Sequence, residues 1–131
     1  MDVVKFFKTD AKKEIDGNWV EIGEGASLLI ARAGNPKYSR LLERLQKPHR
    51  TAIRRDRLPD DIAEKIVTKV LAETVLIGWK GVFYKDEELE YTPENSLMLL
   101  TELKDLKELV AELGRDVSNF KEADEEEDEK N

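Results

Sequence analysis

Leu58–Gly78, LPDDIAEKIVTKVLAETVLIG, carries the broadest apolar stripe of a 131-residue chain, and its reading decides the fold. Leu58-Pro59-Asp60-Asp61 opens a helix, because Asp60 and Asp61 set negative charge at the positive end of the helix dipole. Ile62, Ile66, Val70 and Ile77 mark one face, and Val67, Leu71 and Val75 widen it. The spacing predicts a helix from Pro59 to Ile77, ended by Gly78, at the centre of the core. Ile66, Val70 and Ile77 are expected to be buried, with Trp19 or Trp79 against that layer.

Toward the N-terminus, Asn35-Pro36 starts another helix: Asn suits the cap, and Pro at the first helical position loses no needed hydrogen bond. Tyr38, Leu41, Leu42 and Leu45 recur at helical spacing. Pro48 must kink or break this helix, while Ala52 and Ile53 continue its apolar face. Before it, Asn18–Ile22 and Ala26–Arg32 flank Gly23-Glu24-Gly25, the signal of a β-hairpin lying on helices. The first sixteen residues predict an arm that packs through Val3, Val4, Phe6 and Phe7.

Toward the C-terminus, Trp79–Tyr91 reads as a connector with short extended pieces at Val82-Phe83-Tyr84 and Leu89-Glu90-Tyr91. Thr92-Pro93-Glu94-Asn95 repeats the cap-and-proline start, and Leu97, Met98 and Leu100 bury a short helix. A last helix is expected from Thr101 to about Phe120. Leu103, Leu106, Val110, Leu113, Val117 and Phe120 follow each other at steps of three and four, a heptad seam. Gly114 inside the seam weakens an isolated helix by roughly 1 kcal/mol, which favours a helix held by packing over a free coiled coil. The expected fold is mainly α with a small N-terminal β-hairpin (α+β): one helical domain over residues 1–120 and a disordered acidic tail over 121–131.

Charged residues make up 39% of the chain, against roughly 25% in ordinary globular domains, and the surplus belongs on the surface. The net charge of -7 is unevenly spread. Lys37 to Arg57 holds eight basic and two acidic residues; Lys121 to Asn131 holds seven acids and two lysines. The overall acidity argues against general nucleic-acid binding. There is no cysteine, so disulfides and thiolate-bound metals are excluded. The start resembles no signal peptide and no run approaches a membrane span, so a cytoplasmic protein is expected.

No constellation carries catalysis. His49, the single histidine, has no orienting partner at a suggestive spacing. Gly23-Glu24-Gly25 lacks the lysine and further glycine of a phosphate loop. The tail acids from Glu122 to Glu129 lack the alternation and glycine of a calcium loop. Trp19 and Trp79 read as core-edge packing in preference to a ligand-stacking pair. Neither cofactor nor metal is expected. The basic stretch stands out: Arg40, Arg44 and Lys47 share one helix face, and Arg50, Arg54 and Arg57 repeat the spacing after Pro48. It reads either as a solvated face or as a contact for an acidic protein or RNA.

Four segments in order, Trp19–Ala26, Ala33–Tyr38, Glu73–Val82 and Tyr91–Asn95, resemble the tail assembly chaperones of long-tailed phages. The resemblance spans Phe6 to Phe120. It implies a non-enzymatic protein of the host bacterial cytoplasm, absent from the mature virion, that coats the tape measure protein before the tail tube polymerises around it. It also implies a longer form, made by ribosomal frameshifting near Lys130-Asn131, that recruits the major tail protein, with the acidic tail as linker. Self-association stays open. Two other readings remain: a structural adaptor or head–tail completion protein, and a nucleic-acid-binding regulator acting through Arg40 to Arg57.

Overall fold

The computed structural model describes residues 1–122. The elements run α1 (Val3–Phe7), α2 (Ala11–Asp16), β1 (Asn18–Gly23), β2 (Ala26–Ile30), α3 (Pro36–Gln46), a 3-10 turn (Lys47–His49) and α4 (Arg50–Arg54). They continue with α5 (Asp60–Thr74), β3 (Leu76–Lys80), β4 (Phe83–Tyr84), β5 (Glu87–Glu88), α6 (Pro93–Glu102), α7 (Lys104–Arg115) and a 3-10 turn (Val117–Phe120). The fold is mainly α with a small antiparallel sheet, as expected.

The hairpin forms where the sequence places it. Glu24 and Gly25 both have positive φ, the geometry that lets a two-residue turn follow the twist of its strands. The sheet, however, has three strands in the order β1-β2-β3. Leu28 pairs with Trp79 and Leu29 with Gly78, and the register slips between Leu29 and Ile30.

The third strand corrects the predicted helix from Pro59 to Ile77. Helix α5 stops at Thr74, and Leu76–Lys80 is extended. The helix end is capped by the rest of the molecule instead of by a glycine. The buried Ser96 hydroxyl donates to the Ala72 carbonyl (2.7 Å), and the Asn35 amide donates to that of Thr74 (3.0 Å). The Ala31 N–H donates to Val75 O (2.8 Å) and the Tyr91 hydroxyl to Leu76 O (2.7 Å). With the last carbonyls satisfied this way, the β-branched run Thr74-Val75 is free to leave the helix. Gly78 is therefore a strand residue. Leu29 lies across it, 3.3 Å from where a Cβ would stand. Ile66 and Val70 are buried as predicted, Ile77 is half-buried, and Val67 is 43% exposed and widens no stripe.

Two hydrophobic clusters result. The larger joins the sheet (Leu28, Ile30, Leu76, Trp79), the C-terminal half of α5 (Leu71, Ala72, with Val75 beyond it), α6 (Leu99, Leu100), Val110 and Phe120. The smaller holds Leu41, Ile66 and Val70 between α3 and α5. Trp79 packs edge-on to Tyr91, with ring centres 4.8 Å apart, and its indole N–H donates to Leu89 O (2.7 Å). Trp19 pairs in register with Leu29 and Trp79 with Leu28, so the two tryptophans lie on opposite sheet faces. Trp19 is 44% exposed beneath the Lys80 ammonium and does not reach the core.

The last helix is also corrected. Leu103 adopts an extended conformation between α6 and α7, and Asp116 does so after α7. Val110 and Phe120 of the heptad seam are fully buried, while Leu103 and Val117 stand largely exposed, so the seam is a broken face of the core. Gly114 has a packing reason. A Cβ there would come within 2.8 Å of Val75 Cγ1, and its carbonyl accepts the Ala33 N–H (2.9 Å). The predicted arm packs differently too: Val3, Val4, Phe6 and Phe7 are all about half exposed or more, so they anchor nothing. The anchor is polar. Arg32 pairs with Glu14 (2.8 Å), and the Asp10 N–H donates to Phe120 O (2.7 Å). Lys121 bridges to Thr9, and Lys8 pairs with Glu122 (3.5 Å). The rest of the expected acidic tail lies outside the described residues.

Candidate functional site

Helix α3 is fixed by Asn35, which is buried and uses its whole side chain. Its Oδ1 accepts the N–H groups of Lys37 (2.9 Å) and Tyr38 (3.0 Å). Its Nδ2 donates to Arg32 O (2.7 Å) and to the Thr74 carbonyl at the end of α5. One residue thus caps α3 and ties its start to the central helix. Leu41 then faces Ile66 and Val70, with Tyr38, Leu42 and Leu45 beside it. The opposite face must meet water, and that is where Arg40, Arg44 and Lys47 stand, all exposed.

Pro48 does not end the helical path. The chain passes through the 3-10 turn into α4, which carries Arg50 and Arg54 outward, and Arg57 follows. Ile53 is 37% exposed, so the apolar face of α3 continues only weakly here. All six arginines and lysines singled out in the sequence are exposed. Among the described residues one of them makes an ion pair, Arg50 with Glu43 at 3.7 Å. Both side chains of that pair are solvated, so it contributes little.

The structure groups these residues in two sets. Arg40 and Arg44 border a shallow depression with Lys37, Leu41, Glu73 and Thr74. On its other side Arg44 borders a second depression, formed by Leu45, His49, Ile62 and Ile66, where Lys65 and Lys69 of α5 join it. Arg54 and Arg57 line neither depression. The basic surface therefore runs from α3 onto α5. Lys65 and Lys69 were missed in the sequence because α5 reads as a core helix. Their four-residue spacing, which puts them on one face, was the available signal. His49 is half-buried beside Arg44 and Pro48.

Among the described residues no group of three or more histidine, aspartate or glutamate side chains is placed to hold a metal ion. No helix among them is long and apolar enough to cross a membrane. The arrangement offers charge and shallow apolar relief, which suits contact with another macromolecule. Comparison with curated proteins and with solved structures gives no match. A family model described as YdaY prophage protein matches residues 33–131, from just before the Asn35 cap onward.

Proposed function

The chain belongs to the YdaY prophage protein family, and from that premise we propose that it is a tail assembly chaperone, which binds the tape measure protein during phage morphogenesis. The observation that carries this reading is the exposed basic face of α3 and α4 beside shallow apolar relief. Long amphipathic helices are shielded by a partner that offers both charge and carbon. Phage origin and the ordered resemblance of four segments support the same reading. In it the protein is not an enzyme, acts in the host cytoplasm, and leaves before the virion matures. A frameshifted longer form would bring in the major tail protein. Its junction, near Lys130-Asn131, lies outside the described residues.

The test is co-purification of the tape measure protein with the wild-type chain and with Arg44→Glu/Arg54→Glu, at moderate salt. The double variant is expected to lose most of the capture while keeping its circular dichroism, since both side chains are solvated. Unchanged capture would return these arginines to a merely solvated face. Recovery of the protein in purified virions would favour a structural adaptor. A strongly salt-dependent mobility shift with nucleic acid would favour a regulator.

A further inference from the structure

A cleft of about 430 Å³ opens between α5 and the α6–α7 corner, with Lys65 and Lys69 standing between it and the depression beside Arg44. Leu97 and the fully buried Leu100 form its floor, and Thr68 and Thr101 line it between them. Four lysines surround it: Lys65 and Lys69 from α5, Lys104 and Lys107 from α7. Their methylene stems extend the carbon surface while their ammonium groups stand at the rim. Lys107 pairs with Glu64, and Lys69 lies 3.9 Å from Glu73. Lys65 and Lys104 are exposed and make no ion pair among the described residues. The cleft is thus apolar below and positive around its edge.

We propose that this cleft docks an amphipathic helix of a partner protein, with apolar side chains on Leu97 and Leu100 and acidic flanks on the lysines. The occupant follows from charge. A neutral or basic segment would bury ammonium groups without a partner, which is costly. Lys107 shows the burial side of that cost: its side chain is 13% exposed, it is paired with Glu64, and burial still holds its pKa below the ordinary lysine value, with Glu108 opposing. The chain's own candidates fit poorly. Its exposed apolar segment, Val3–Phe7, carries Lys5 and is followed by Lys8, so a second copy would bring like charge. Its acidic stretch from Glu122 to Glu129 has no apolar residue larger than Ala123 and cannot cover the floor. A separate chain that carries both leucine-like anchors and acids satisfies floor and rim together. The inference depends neither on the arginine face nor on the identity of the protein that the chaperone reading names.

The probe is a synthetic helical peptide of about four turns, with leucines on one face and glutamates flanking them; its twin carries lysines for the glutamates. Binding to the full chain is read by fluorescence anisotropy. The glutamate peptide is expected to bind saturably and the lysine twin not to bind. Lys65→Glu/Lys104→Glu should weaken the glutamate peptide roughly tenfold, the scale of two solvated charge reversals, and should admit the lysine twin. Thr101→Trp, which fills the mouth of the cleft from an exposed position and changes no charge, should also abolish binding. Arg44→Glu/Arg54→Glu should leave peptide binding unchanged, so failure here is separate from failure of tape-measure capture. Equal binding of the two peptides, no saturable binding, or insensitivity to Thr101→Trp in a folded variant would each overturn the proposal.

Discussion

The two halves of helix α5 end in different surroundings. Its C-terminal half enters the larger cluster, where β2, β3, α6, α7 and Phe120 close around it. Toward its N-terminus the helix packs on α3 through a smaller cluster of three buried residues among those described, Leu41, Ile66 and Val70, and meets α7 through the pair of Glu64 with Lys107. The carbonyls around the end of the helix are taken from outside it, that of Ala72 by Ser96, that of Thr74 by Asn35 and that of Leu76, already in β3, by Tyr91. The smaller cluster lies beneath the basic face. The difference teaches that the candidate contact surface sits on the less deeply packed side, where local opening costs least.

Truncating the larger cluster should give the largest effect. Phe120 is fully buried, and Phe120→Ala should cost about 3–5 kcal/mol in a denaturant melt. A loss below about 1 kcal/mol would mean that the last 3-10 turn is not part of the core. Ile66→Ala, in the smaller cluster at 9% exposure, should cost about 2 kcal/mol, the low end for its class. If the two losses proved equal, the contrast between the clusters would fail.

The smallest effect belongs to α2, which lies outside both clusters. Glu14 is held below the ordinary glutamate pKa, first by the Thr9 hydroxyl and then by Arg32. A carboxylate depressed in this way adds stability above its unfolded pKa, and that stability is lost as pH falls through the folded value. Glu14→Gln should therefore cost under about 1 kcal/mol at neutral pH, given the partial exposure of the pair. The gap from wild type should close in acid. A gap that widened in acid would reverse the assigned sign.

What the sequence made legible was mostly chemistry local to a turn. Asn35-Pro36 and Thr92-Pro93 start helices where expected, Pro48 kinks the chain, and Glu24-Gly25 turns the hairpin. In each case the signal and its physical cause lie within a few residues. The strand Leu76–Lys80 was not legible, because a short apolar run fits helix and strand alike. The groups that end α5 come from Asn35 and Ser96, remote in the chain. The exposed arginines were legible from their spacing. The four lysines of the cleft were not, since Lys65 and Lys107 meet only once α5 packs beside α7. The exposed valines and phenylalanines of α1 contradict a purely compositional reading, and nothing in the structure explains them.

The hydrogen bond from Asp10 to the carbonyl of Phe120, with the bridge from Thr9 to Lys121 beside it, has a consequence in time. A ribosome makes Asp10 well before Phe120. At about 5–20 residues per second, the segment that carries Phe120 follows on the order of ten seconds later. Until then the larger cluster lacks its largest fully buried side chain, and α2 lacks one of its ties to the body while keeping the pair of Glu14 with Arg32. Closure of the larger cluster thus waits until the segment around Phe120 has been made, and the elements before it are synthesised with their core unsealed.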